Sequence, residues 1–305
     1  MIRGLATKFA GFIGRSIDLP APQNGDPELL VMGAMLSNQQ WLMHSKRIND
    51  YEFKIFSQWG DDGIIQYLIK HVRVENETFI EFGVENYLES NTRFLMMNNN
   101  WAGFVMDGSE EAMTTLKQQD WYWKYDITGY AAFIDKDNLN SLLKLSGFEN
   151  IGIMHIDVDG NDFHLLKEAD FSTLNPSILI MEYNSVFGAE RTITVPYRKD
   201  FYRTRAHYSN LFFGASLSAL NLLAVEKGYA LVGCNLAGNN AYFVRNDLLN
   251  EHVPRLTVQQ AFKTSKFRES RGEDYSLTYL RGRERLAQIK GLTVLNVTTN
   301  MLEEL

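Results

Sequence analysis

From Thr78 to Arg245 the chain alternates short apolar runs with stretches of helical period. Strand-length apolar runs fall near 79–84, 103–107, 122–127, 151–157 and 177–183. Helical patterns fall between them, near 92–98, 110–119, 138–145 and 162–169. Strand and helix in regular alternation predict βαβ units, hence a parallel sheet with helices on both faces. A further helical stretch, Ser216 to Lys227, leads into YALVGCN and then NAYFVR, joined through Asn235 to Asn240. A connection of about five residues is too short for a parallel crossover, so this last pair of strands is antiparallel. The predicted class is α/β: a Rossmann-like, doubly wound, mostly parallel sheet with a terminal antiparallel hairpin.

Outside that core the pattern changes. Residues 16–30 carry Pro20, Pro22, Asn24, Gly25 and Pro27 and read as a loop, and Leu29 to Lys46 reads as one helix. The apolar stripe of that helix is Leu30, Met32, Met35, Leu36 and Leu42. The start of the chain interleaves Arg3, Lys8 and Arg15 with Leu5, Phe9, Phe12 and Ile13 at helical spacing. Lys8 breaks the apolar run too early for a signal peptide, which leaves packing, a homo-oligomer contact or a membrane-surface helix. Residues 246–305 read as a helical and extended tail with a mobile end at Asn296 to Leu305. The predicted organisation is a helical and linker segment at 1–50, the α/β domain at 51–247 and an extension at 248–305.

Composition narrows the setting. A formal charge of −7 argues against non-specific nucleic-acid binding, which needs clustered Lys and Arg. The single cysteine, Cys234, excludes an intramolecular disulfide and a cysteine-rich zinc site, and suits a reducing compartment. No run of about 18 apolar residues occurs, so no transmembrane helix is predicted. A cytoplasmic protein is expected, with the amphipathic N-terminus as its route to a membrane surface.

The chemistry concentrates at predicted strand ends. In FIEFGVENYLESNT, Phe79 to Thr92, an apolar strand stops at Gly83 and a helix follows, the usual ligand crevice of an open α/β sheet. Glu81 and Glu85 make its mouth negative. The G-x-G-x-x-G fingerprint that admits a pyrophosphate is missing, because Val84, Glu85 and Asn86 follow Gly83. S-adenosylmethionine, with a ribose, no phosphate and a sulfonium, suits such a turn better than NAD or FAD. The second strand ends in Asp107, placed either to hydrogen-bond a ribose diol or to serve as a helix N-cap.

The segment IGIMHIDVDGNDFHLLK carries the most titratable groups. Alternation puts His155, Asp157 and Asp159 on one face, with Asp162 and His164 following, and the next strand brings Glu182 and Asn184 to the same edge. Such acids can position a substrate hydroxyl, act as a general base or hold a hard divalent cation such as magnesium, with Asp157, Asp159 and Glu182 as its ligands. Equally, Asp159 to Asp162 can be a turn and N-cap cluster. Asp157 is the first candidate for proton removal, followed by Asp159 and His164. His155 reads as either a core residue or a catalyst, and His207 is a further candidate base. Arg191, Tyr197, Arg203, Arg205 and Tyr208, in the insert 184–213, form either a lid over the acceptor or a solvated loop. Neither GxSxG, HExxH nor a P-loop is present, which removes the commonest hydrolase and triphosphatase readings.

Taken together, SQWGDDGIIQYLI, FIEFGVENYLESNT, GFVMDGS, HIDVDGNDFHLLK and IMEYNSVFG, followed by GASLSALNLLAVEKGYALVG and NAYFVR, resemble the FkbM-like branch of S-adenosylmethionine-dependent methyltransferases. The resemblance spans about residues 53–247. It implies the seven-stranded class I methyltransferase fold with its last strand antiparallel. It also implies cofactor binding by Glu81, Gly83 and Asn91, by Asp107 at the ribose, and by Gln58, Gly60 and Asp61 in the polar turn before the core. Glu85 departs from the pattern by standing where many methyltransferases have a second glycine. Asp-Val-Asp-Gly-Asn-Asp likewise replaces the commoner Asp-x-Glu-Gly. The expected activity is O-methylation of a hydroxyl on a saccharide, polysaccharide precursor or related metabolite. The rival readings are a non-catalytic binding or assembly module of the same fold, and a nicotinamide-dependent oxidoreductase, which the missing glycines disfavour.

Overall fold

The computed structural model describes residues 26–305; the amphipathic stretch at 1–25 lies outside the described residues. Among the described residues ten strands form, β1 (Asn76–Phe82), β2 (Ala102–Asp107), β3 (Ile127–Ala131), β4 (Ile151–Ile156), β5 (Ile178–Glu182), β6 (Ile193–Thr194), β7 (Tyr229–Cys234), β8 (Asn240–Arg245), β9 (Thr293–Asn296) and β10 (Met301–Glu304). Seven of them make one sheet in the order β3-β2-β1-β4-β5-β8-β7. β1 to β5 run parallel, while β8 is antiparallel to both β5 and β7. This is the Rossmann-like sheet with a terminal antiparallel hairpin that the strand pattern predicts.

Alternation along the central strands divides the core in two. Ile80, Phe82, Met154, Ile156, Leu179 and Met181 face one layer, packed by Leu139, Leu165, Leu166, Leu217 and Leu220 from helices. Phe79, Ile153, Ile178 and Ile180 face the other, packed by Ile64, Ile65, Leu68, Leu95 and Met96. Both faces are covered, which is why the parallel strands read as nearly continuous apolar runs. By the same parity Glu81, His155 and Glu182 belong to the second face, at the carboxyl ends of their strands. Strand order turns around between β1 and β4, and a crevice opens at that switch point.

Three expectations need correction. Residues 122–127 are not a strand: Tyr122–Lys124 is a single 3-10 turn and β3 starts at Ile127. Tyr122 and Tyr125 pack partly buried against the second core layer beside Trp121, which lies 6.3 Å from Tyr87 between ring centroids, while Trp123 is exposed. The first described helix runs Asp26–Gln39 and ends in a 3-10 turn at Gln40–Leu42, earlier at both ends than the sequence suggests. Met32, Met35, Leu36 and Leu42 of its expected stripe are exposed, and Gly33 and Ser37 are the buried positions. A Cβ on Gly33 would lie 2.4 Å from the Phe94 ring, so close backbone approach selects the small residues. Polar bonds complete the seam: Ser37 Oγ donates to Gln66 at 2.8 Å, and Gln40 Nε2 donates to the carbonyls of Tyr51 and Gly63 at 3.0 and 2.9 Å. Finally, Asn296 to Leu305 is ordered by pairing. β9 pairs with both β10 and β6, and Arg191 binds Glu303 at 2.6 Å, so the tail closes on the 184–213 insert.

Candidate active site

A cavity of about 750 Å³ opens at the carboxyl ends of β1, β2, β4 and β5. Gln58, Glu81, Gly83, Asn91, Asp107, Asp157, Asp159 and Glu182, all named from sequence, line it. Phe201, Tyr202 and Arg203 of the insert and Glu269 of the tail complete the wall.

Gly83 is fixed by geometry. Its φ is +71°, and a Cβ there would lie 1.6 Å from the Asp157 carbonyl oxygen. Glu85 follows in the left-handed region at φ 46°, a conformation that costs a non-glycine residue on the order of 1 kcal/mol or more. Asp107 holds this turn in place: its Oδ2 accepts from the Glu85 backbone N–H at 2.8 Å and its Oδ1 from that of Ser109 at 2.8 Å. The cap of the following helix is Ser109, whose hydroxyl accepts from Ala112 N. Asp107 is therefore the clamp between two strand-end loops, with its carboxylate on the cavity wall.

Behind that wall Glu81 and His155 face each other in register on adjacent strands. His155 Nδ1 donates to Glu81 Oε1 at 2.8 Å. The other Glu81 oxygen accepts from Ser90 Oγ at 2.6 Å and from the Thr92 hydroxyl. Asn91 Nδ2 lies 3.4 Å from His155 Nε2. Burial opposes charge on both groups, but their mutual hydrogen bond and attraction win: the Glu81 pKa is lowered and that of His155 raised. Every Glu81 lone pair facing inward is occupied, so its role in this geometry is to orient His155 and Asn91. The same-face parity of His155 and Asp157 was the available signal for that histidine's place on the cavity wall.

One carboxylate oxygen each from Asp157, Asp159 and Glu182 lie within 4.8 Å of one another. Burial, and after it the other carboxylates, raise the pKa values of Asp157 and Glu182. Glu182 Oε2 is buried without a hydrogen-bond partner. Arg203 offsets part of the charge, donating to Asp159 at 3.1 Å and to Glu269 at 3.2 Å while lying 3.8 Å over the Phe213 ring. Asp162 is built into the loop instead, its two oxygens accepting from the backbone N–H groups of Val158 and Gly160 at 2.8 and 2.9 Å.

Four named candidates stand elsewhere, among them His207, whose Nδ1 pairs with Ser209 Oγ at 2.7 Å. His164 lies in the helix Asp162–Glu168 and donates from Nε2 to the Val195 carbonyl at 2.8 Å; burial drives its pKa down to about 4. Asp61 is buried among Asn235, Asn240 and Tyr242, accepting from all three. Gly60 packs against Glu52, whose side chain a Cβ would meet at 2.5 Å. In the insert, Arg191 is spent on Glu303 and Tyr208 accepts from Gln288 at 2.8 Å, which leaves Arg203 as the insert's cation on the cavity wall.

No protein-family model and no curated protein matches this chain. Among solved structures it is similar to an O-methyltransferase from Bacillus cereus in complex with SAH, at 12% identity over 75% of this chain and 94% of that one, with a TM-score of 0.41. It is also similar to M. capricolum TrmK in complex with S-adenosyl-homocysteine, at 12% identity over 64% and 73% of the two chains, TM-score 0.36. A third similarity is to the N-terminal domain of EvdMO1 with SAH bound, at 11% identity over 55% and 72%, TM-score 0.36.

Proposed function

We propose that this chain is an S-adenosylmethionine-dependent O-methyltransferase of the FkbM-like kind, acting on a hydroxyl of a saccharide, polysaccharide precursor or related metabolite. The observation that carries the reading is one continuous cavity that joins the Gly83–Asp107 turn to the Asp157, Asp159 and Glu182 cluster. A glycine turn at a strand end, without the further glycines of a pyrophosphate cradle, supports a nucleoside ligand without a pyrophosphate, and an acidic rim suits a sulfonium. When bound, S-adenosylmethionine supplies an electrophilic methyl group. Gln58, Glu81, Gly83, Asn91 and Asp107 would surround the cofactor end. Asp157 would take the proton as the acceptor oxygen forms its bond to carbon and the carbon–sulfur bond breaks, and a raised carboxylate pKa favours that role. Asp159 would orient the acceptor. In the alternative arrangement, Asp157, Asp159 and Glu182 would instead hold a hard cation such as magnesium, where the unpartnered Glu182 Oε2 suits an oxygen-ligated ion and the charge would acidify a nearby hydroxyl.

The same reading has a small-molecule acceptor, because the acidic rim opposes a nucleic-acid backbone, and a cytoplasmic setting. Among the described residues no helix is long and apolar enough to cross a membrane. Calorimetry with S-adenosylhomocysteine tests it: binding is expected, and Asp107→Ala should weaken it. Absence of binding at millimolar concentration would sink the enzyme and leave a binding module.

A further inference from the structure

We infer that the C-terminal segment forms a second site, which binds a phosphate-class anion. A cavity of about 450 Å³ lies between residues 264–268 and 280–285. Lys266, Arg268, Arg281 and Arg285 line it, and no acidic residue does. Among the described residues none of the four takes part in an ion pair.

Exposed cations alone would say little; Arg285 is different. It is only 4% exposed. Its Nη1 donates to Ser265 Oγ at 2.6 Å and, at 3.4 Å, to the Ser265 carbonyl, and its guanidinium carbon sits 5.5 Å from the Phe267 ring centroid. Nε is buried and has no partner. Nη2 makes no hydrogen bond among the described residues. Nε and Nη2 form the edge of guanidinium that grips two oxygens of one oxyanion, so the side chain is clamped by its far nitrogen with its fork vacant.

The neighbouring carboxylates are already engaged. Glu269 accepts from Arg203 at 3.2 Å and from Asn210 at 3.1 Å, and Glu284 accepts from the Arg281 backbone N–H at 3.3 Å. Burial, and after it Arg203, disfavour the charge on Arg285, and Glu269 offsets them only in part. A buried guanidinium with an unsatisfied donor and cationic neighbours is destabilising unless an anion completes it. Four cations around one small cavity suit a dianion better than a monocarboxylate, and the volume admits a phosphomonoester or diphosphate rather than a polymer. The site adjoins the acid-lined cavity, since Phe267 stacks on Trp59 at 5.7 Å and Glu269 lines that cavity. Its anion has two sources, free phosphate or the phosphate of an organic ester. The inference is independent of methyl transfer, and its test needs neither cofactor nor acceptor.

The test is calorimetry on the full chain at low ionic strength, titrating inorganic phosphate and, separately, glucose 1-phosphate. At least one should bind in the submillimolar range, and weaken with added potassium chloride. Arg285→Gln should weaken it about tenfold or more, the scale of a lost charge-assisted hydrogen bond. The exposed pair Arg268→Ala and Arg281→Ala should do likewise without lowering the melting temperature, which keeps the test decisive if the Arg285 variant misfolds. Tighter binding of the sugar phosphate would assign the site to an ester; equal or weaker binding would assign it to free phosphate. No binding of either probe at millimolar concentration, or binding unchanged in the Arg268/Arg281 double variant, would overturn the inference.

Discussion

A Cβ at position 83 would fall 1.6 Å from the carbonyl oxygen of Asp157. The turn after β1 and the acid cluster after β4 are thus joined by one close approach of two backbones. Gly83→Ala would have to displace one of them and would hold alanine at φ +71°. It should cost roughly 3 kcal/mol or more, read as a lower urea midpoint, because strain at positive φ adds to a backbone clash. An unchanged midpoint would mean the turn is not as tight as described.

Glu81 and His155 should respond to pH together. His155 has its pKa raised, so the stability it contributes is complete below its unfolded value of 6.5 and is lost as pH rises through the folded value. Glu81 has its pKa lowered, so its contribution is present above 4.5 and is lost as pH falls through the folded value. Glu81→Gln should lower the His155 pKa, measured by NMR titration of the ring protons. No movement of that titration would count against the pairing.

Glu182→Gln should stabilise the protein while harming the site. The wild-type carboxylate has a raised pKa, so stability is complete below its unfolded value of 4.5 and falls as pH rises toward the folded one. Glutamine does not titrate, and at pH 8 its variant should be about 1 kcal/mol more stable in metal-free buffer, by removing a like charge. Magnesium should raise the melting temperature of the wild type more than that of the variant. Equal shifts would argue against a cation held by Asp157, Asp159 and Glu182.

His164 gives the opposite sign of pH effect. Its pKa is pushed down to about 4, so the neutral ring contributes stability above 6.5 that is lost as pH falls toward 4. His164→Ala should lose about 1–2 kcal/mol at pH 7, chiefly from the orphaned Val195 carbonyl, and should flatten the acid limb of the stability curve. S-adenosylhomocysteine affinity should be unchanged. A large loss of affinity without loss of stability would bring this histidine back to the ligand.

Much of the central sheet was legible because local pattern and final environment agree there. Parallel strands buried on both faces must be apolar throughout, and a five-residue connection can only return antiparallel. Residues 122–127 differ for the converse reason: aromatic residues suit a strand and a half-exposed 3-10 turn equally well. The helix Asp26–Gln39 buries a different face from the expected leucine and methionine stripe, since close approach at Gly33 favours small side chains.

For the site, sequence determined which residue types arrive at the strand ends, because side-chain parity fixes the face and strand termination fixes the edge. It could not determine how each group is used. Asp107 and Asp162 became clamps on backbone N–H groups, and Asp61 a partner of Asn235 and Tyr242. His155 found Glu81 across 74 residues of sequence, and the tail brought Glu269 to Arg203. Those assignments depend on distances between segments far apart in the chain. Sequence alone supplied the carboxylates, and tertiary packing decided which of them kept an oxygen free to meet a ligand.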